Sequence, residues 1–179
     1  MHRPVVTIAG SDPSGGAGLQ ADLKTFHQHG LYGMSVVTLL TAQNTQGVQG
    51  ILDIPTEFVQ QQLRAIVTDI TPVAIKTGAL GRPELIASVA DSLGEFDCPV
   101  VVDPVMVSKH GHPLMAPEAV DVLREKLIPA AFLVTPNRHE AQQLTGLEIC
   151  DIASMQAAAQ RIRDLGAKNV LLKSGTIDG

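Results

Sequence analysis

The residues able to do chemistry in this chain gather in short stretches, each placed where an apolar run ends. The longest is Ala9-Gly10-Ser11-Asp12-Pro13-Ser14-Gly15-Gly16-Ala17-Gly18-Leu19-Gln20-Ala21-Asp22-Leu23-Lys24-Thr25. Its glycines let backbone approach a ligand closely, and a helix beginning near Ala17 is expected to offer unpaired N–H groups at its first turn. Asp22, four residues beyond Gly18, sets a carboxylate where it can face whatever occupies the loop. Asp103 ends the run Pro99 to Val102 and precedes Pro104. A carboxylate at the end of a parallel strand suits a hydrated metal ion, and the alternative is an aspartate that only caps the next turn. Asn137 and Glu140 are three residues apart, so a helix starting there puts both on one face near the strand ends. The alternative there is an asparagine cap with an acidic first turn.

Two loop motifs fail on this stretch. Gly10-x-x-x-x-Gly15 has the spacing of a phosphate-binding P-loop, but Gly16 and Ala17 stand where lysine and serine or threonine belong. Gly16-x-Gly18-x-x-Ala21 fits a loose dinucleotide fingerprint. Six residues separate Gly16 from the strand, however, and the next strand ends in Gln43-Asn44 without an acidic ribose partner.

The elements that must carry these residues alternate. Val5 to Ala9 reads as a strand, followed by a helix capped by Gly30, and Met34 to Thr41 is apolar on both pleat faces. That strand ends in Thr41-Ala42-Gln43-Asn44-Thr45, and polar side chains at such an end sit where open α/β sheets bind ligands. Val48 to Ile54 reads as a shorter edge strand or flap. Pro55 opens a helix to about Asp69, Val73 to Lys76 is a strand leading into Thr77-Gly78-Ala79-Leu80-Gly81, and a helix runs from about Pro83 to Glu95. Further units are the strand Pro99 to Val102, a helix from about Pro117 to Leu127, the strand Ala131 to Val134, a helix from about Ser154 to Leu165, and the strand Asn169 to Leu172, which leads into Lys173-Ser174-Gly175. The count of βα units predicts an α/β fold, a doubly wound and mainly parallel sheet flanked by helices with right-handed crossovers.

With 179 residues and no shift in composition, the chain is expected to form a single α/β domain over residues 1–179. The 45% apolar content argues for a buried core, and no apolar run is long enough to span a bilayer. Met1-His2-Arg3-Pro4 leads into a strand without a signal-peptide core, which makes a cytoplasmic protein with no membrane partner the expectation. A net charge of −5 with 3% aromatic residues supplies neither the basic patch nor the stacking platform of a nucleic-acid binder. Cys98 and Cys150 have no motif around them and are expected to be buried thiols. His110 and His112 flank Gly111 in a turn without further ligand spacing and read as surface histidines.

As an ordered set, AGSDPSGGAGLQADLKT, TAQNT, VVDPVM and TPNRHEA resemble the hydroxymethylpyrimidine and phosphomethylpyrimidine kinases of thiamine biosynthesis, enzymes of ribokinase-like fold. The resemblance covers essentially the whole chain. It implies phosphorylation of 4-amino-5-hydroxymethyl-2-methylpyrimidine and then of its monophosphate, with ATP and Mg²⁺ as cofactors, in a homodimer. It further implies that Gly10, Ala17, Asp22, Thr41, Gln43 and Ala79 line the pyrimidine pocket. Asp103 and Glu140 would then orient Mg²⁺ through water, and Asn137 and Lys173 would approach the phosphates of ATP. Gln43 suits an aminopyrimidine edge because its amide both donates and accepts.

Thr41 stands where the family often has valine, and Ala79 where it often has methionine. The smaller residue at 79 enlarges the expected pocket and keeps a pyridoxal-type vitamin kinase open as an alternative. A pyrimidine-binding protein without catalysis is the other. The glycine-rich anion hole of ribokinase-like enzymes, whose last side chain serves as base or polariser, has no match in residues 1–179. The catalytic residue is therefore unassigned, and the expectation is a chain that lacks the C-terminal part of the fold.

Overall fold

The structure is a computed structural model and describes residues 3–108, 111 and 113–173. Lys109, His110, His112 and Ser174 to Gly179 lie outside the described residues.

The elements run β1 (Pro4–Ser11), α1 (Gly18–Gln28), β2 (Tyr32–Asn44), β3 (Gly47–Asp53), α2 (Thr56–Val67), β4 (Ile75–Thr77), α3 (Pro83–Leu93), β5 (Val100–Val102), α4 (Ala119–Val122), β6 (Leu133–Val134), α5 (Arg138–Thr145), α6 (Ile152–Asp164) and β7 (Asn169–Val170). Among the described residues the seven strands form one sheet in the order β3-β2-β1-β4-β5-β6-β7. All neighbours pair in parallel except β2 with β3. This is the doubly wound sheet expected from the alternating pattern.

Winding starts at β1 and leaves it in both directions, to β2 on one side and β4 on the other. Right-handed crossovers therefore place α1 on one face and α3 and α4 on the other. The gap between the carboxyl ends of β1 and β4 is the topological switch point, where such sheets hold ligands. β1 is buried on both pleat faces: Val6, Thr7 and Ile8 are each 0% exposed. The core continues through Ile75, Val102 and Val134 on the strands and Leu85, Ile86 and Val89 on α3.

Four expectations need correction. β2 does not stop at Thr41 but runs on to Asn44, because beyond Leu40 it leaves β1 and pairs antiparallel with β3. Asn44 then closes the hairpin, its side-chain carbonyl accepting from the N–H groups of Gln46 and Gly47. The last helix starts at Ile152, since Asp151 caps it by accepting from Ser154 N. The region expected as one helix from Pro117 is regular only in α4, continuing as a wider turn over Leu123–Leu127 and a 3-10 turn over Ile128–Ala130. Neither cysteine is buried: Cys98 is half-buried and Cys150 exposed, and both are free thiols.

Candidate active site

One cavity of about 910 Å³ opens at the carboxyl ends of the strands. All ten residues singled out by sequence line it: Gly10, Ala17, Asp22, Thr41, Gln43 and Ala79 from the first half of the chain, and Asp103, Asn137, Glu140 and Lys173 from the second. Asp22 and Gln43 thus share a cleft with Asp103 and Lys173 over the switch point.

The glycine loop carries an anion of its own, and the helix begins at Gly18, next to the expected Ala17. Asp12, only 4% exposed, turns its carboxylate inward and accepts from the N–H groups of Ser14, Gly16 and Ala17 and from the Ser14 hydroxyl. The N–H groups of Gly16 and Ala17 are therefore spent on an internal anion, while α1 itself starts at Gly18 with no side-chain cap. Burial pushes the Asp12 carboxyl up, but the Ser14 hydroxyl and the N–H groups of Ser14, Ala17 and Gly16 outweigh it and hold the group below the ordinary carboxylate range. A depressed carboxyl contributes stability that is present above its unfolded pKa and lost as pH falls through its folded one. Asp12→Asn is accordingly expected to cost about 2 kcal/mol at neutral pH. In thermal melts from pH 7 to pH 2, the wild type's advantage should disappear only below the ordinary aspartate value of about 3.9.

Gln20 ties the loop to its helix, its carbonyl accepting from Asp12 N and its amide donating to the Ser11 hydroxyl. Thr41 donates its hydroxyl to the Ser11 carbonyl at 2.9 Å, which joins β2 to the loop. Thr38, also buried, donates to the Ala79 carbonyl at 2.6 Å and so fixes the turn after β4. Asp22 is held from below: Thr7 Oγ1 lies 2.6 Å and Lys76 Nζ 2.8 Å from its Oδ2.

At the other end, Asn137 and Glu140 form a reciprocal capping box at the start of α5, with Glu140 N donating to Asn137 Oδ1 and Asn137 N to Glu140 Oε2. The local capping alternative is thus realised, and both residues still line the cavity. Because its carbonyl serves the cap, Asn137 has its amide NH₂ left, a donor matched to phosphate oxygen. Burial pushes the Glu140 carboxyl up, and the Asp103 charge adds to this; the N–H groups of Asn137 and Met106 and the Lys173 charge only partly offset the rise. Asp103 Oδ1 accepts from Thr135 Oγ1 at 3.1 Å and from Lys173 Nζ at 3.2 Å.

Thr7, Lys76, Thr38 and Asp12 were missed as site residues. Thr7 interrupts the apolar run Val5 to Ala9 and Lys76 is the one charged residue of β4, and those exceptions are the available signal. Asp12 carried no such mark, since its role depends on how the loop folds back.

Together these features place the chain in a class, the ribokinase-like α/β fold with a ligand cleft at its switch point. A family profile described as phosphomethylpyrimidine kinase matches residues 12–179, and the chain belongs to that family. A Streptomyces coelicolor hydroxymethylpyrimidine/phosphomethylpyrimidine kinase is 47% identical over 175 residues, covering 98% of this chain and 65% of the relative. The crystal structure of a Clostridium difficile phosphomethylpyrimidine kinase matches with a TM-score of 0.92 at 47% identity, over 99% of this chain and 77% of that one. A Staphylococcus aureus pyridoxal kinase in complex with pyridoxal matches with a TM-score of 0.90 at 38% identity, over 98% of this chain and 64% of that one. The chain spans from about a third to about two thirds of the length of the curated relatives it matches.

Proposed function

We propose that the protein transfers phosphoryl groups from MgATP to the hydroxymethyl oxygen of 4-amino-5-hydroxymethyl-2-methylpyrimidine, and then to the resulting monophosphate, in thiamine biosynthesis. The observation that carries this reading is the shared cleft, with Asp22 and Gln43 at one end and Asp103, Asn137, Glu140 and Lys173 at the other. The relatives named for that activity support it.

In this reading Gln43 pairs with the aminopyrimidine edge, and Asp22 accepts a hydrogen bond from the ring amine or the hydroxymethyl group. Gly10, Ala17 and Ala79 present small surfaces against which a flat ring can lie. Lys173 turns from Asp103 toward the ATP phosphates, and the Asn137 amide donates to them. Phosphoryl transfer depends on positioning and on neutralising charge, which is the work these residues are suited to.

The donor set fits Mg²⁺ held mostly by phosphate and water. Among the described residues no group of three or more potential ligands forms a cage, and Asp103 and Glu140 are the two carboxylates facing the phosphate end. When bound, the ion offsets charge on the transferring phosphoryl group. Among the described residues no helix is long and apolar enough to cross a membrane. A cytoplasmic homodimer accompanies this reading, and light scattering on the full-length protein tests the dimer.

The second reading, a pyridoxal-type kinase, draws on the small Ala79 beside Gly10 and Leu39 and on the likeness to the pyridoxal kinase. Full-length protein assayed with MgATP and each alcohol separates the two. Turnover of the pyrimidine is expected, turnover of pyridoxal alone would sink the first reading, and a melting shift with the pyrimidine but no ATP consumption would favour the binding protein without catalysis. Ala79→Met is expected to lower kcat/KM for pyridoxal about tenfold more than for the pyrimidine, because the added side chain narrows the wall next to the ring.

A further inference from the structure

Lys76 is a cation at the acceptor end of the cleft, in a short strand whose other residues are apolar or small, and the proposed reaction leaves it without a task. Thr7 and Lys76 are register partners in the β1–β4 ladder, so their side chains leave the same pleat face. Both reach up to α1 and meet at one atom, Asp22 Oδ2. The ion pair is only 20% exposed on the lysine side and 18% on the aspartate side, far less open than the Lys173–Asp103 pair at 49% and 26%.

Space has been left for it. A Cβ at Gly78 would stand 3.1 Å from Lys76 Nζ and 3.0 Å from the Ala9 Cβ, so a side chain there would press on the ammonium group. Two donors on neighbouring strands remove the rotational freedom of the Asp22 carboxylate before any ligand arrives. The lysine also cancels its charge, and a carboxylate that is both fixed and neutralised favours a neutral hydrogen-bond donor over a cationic amine.

We propose that Lys76, with Thr7, is a positioning residue that locks and neutralises Asp22 so that the acceptor site selects a neutral alcohol or ring amine. Lys76 acts through Asp22 and not by touching the acceptor. The proposal rests on the function argued above.

The test uses full-length protein in five forms: wild type, Lys76→Met, Lys76→Arg, Asp22→Asn and the Asp22→Asn/Lys76→Met double variant. Lys76→Met should raise the KM for the pyrimidine alcohol about tenfold or more and leave the KM for ATP within about twofold. Lys76→Arg should recover most of that loss. The double variant should be no worse than Asp22→Asn alone, since two residues acting through one contact are not additive. An unchanged acceptor KM in Lys76→Met, additive losses in the double variant, or a joint rise of both KM values would each overturn the proposal. Wild-type protein that turns over no pyrimidine sinks the functional reading instead. The positioning claim is then decided by a crystal structure of Lys76→Met, where a displaced Asp22 carboxylate upholds it and an unmoved one overturns it.

Discussion

Replacing Lys173 by methionine is expected to lower turnover by about two to three orders of magnitude, the loss seen when one preorganised charge-stabilising donor is removed. The position of Lys173 is set by backbone as much as by side chain. Its N–H donates to the Pro136 carbonyl at 2.8 Å, and it forms an isolated parallel bridge with Asn137, so it stands beside the start of α5. Its ammonium group rests on Asp103 at 3.2 Å in a pair that is half open on the lysine side. Pairs this exposed contribute about 0–1 kcal/mol, so leaving Asp103 costs little when a multiply charged phosphate is the alternative partner. The same reasoning keeps the stability effect small, and the melting temperature should move by no more than a few degrees. Steady-state kinetics on full-length protein decide the matter. A kcat within about threefold of wild type would remove Lys173 from the phosphoryl-transfer machinery.

The second large effect is structural. Gly18 opens α1 with φ +58°, in the left-handed region, and a Cβ built there would collide with the Gly10 carbonyl oxygen and stand 3.3 Å from Asp12 N. Both obstacles are backbone, so neither can swing aside. Gly18→Ala should cost about 2–4 kcal/mol, combining the left-handed penalty with displacement of the loop. For a chain of this size that is a drop in melting temperature of roughly 5–15 °C. Gly30→Ala is the control: its φ is +69°, but a Cβ there meets nothing within 4 Å, and only the conformational cost of about 1 kcal/mol is expected. Equal losses at the two positions would show that the close approach of Gly18 to Gly10 is unimportant. Calorimetry on the two variants measures the difference. Because the Gly18 change also shifts the helix that carries Asp22, it should raise the acceptor KM as well.

Much of this architecture could be read from the order of residues. The run Val5 to Ala9 is apolar at every position but Thr7, as suits a short strand buried on both faces, and each later apolar run is followed by turn residues and a helical period. That periodicity is local, so it survives without knowledge of the fold. The end of β2 was misread because the stretch from Leu40 onward is held by β3, a long-range partner invisible to local pattern. Cys150 was misread because burial depends on what packs over a residue, and neither neighbour type nor spacing reports that.

The site divides along the same line. Chain order alone determined which loop stretches follow apolar strands and that Asp22, Asp103, Asn137 and Glu140 could do chemistry there, and the family resemblance added Gly10, Gln43 and Lys173 to the same rim. Tertiary structure decided what each is attached to: Asp12 filling the loop's own N–H groups, Thr7 and Lys76 converging on Asp22 from two strands, and Lys173 lying against Asp103 seventy residues away. Hydrogen bonds of a few ångströms between residues far apart in sequence exist only once the sheet has set its strand order and register, and no local preference encodes them.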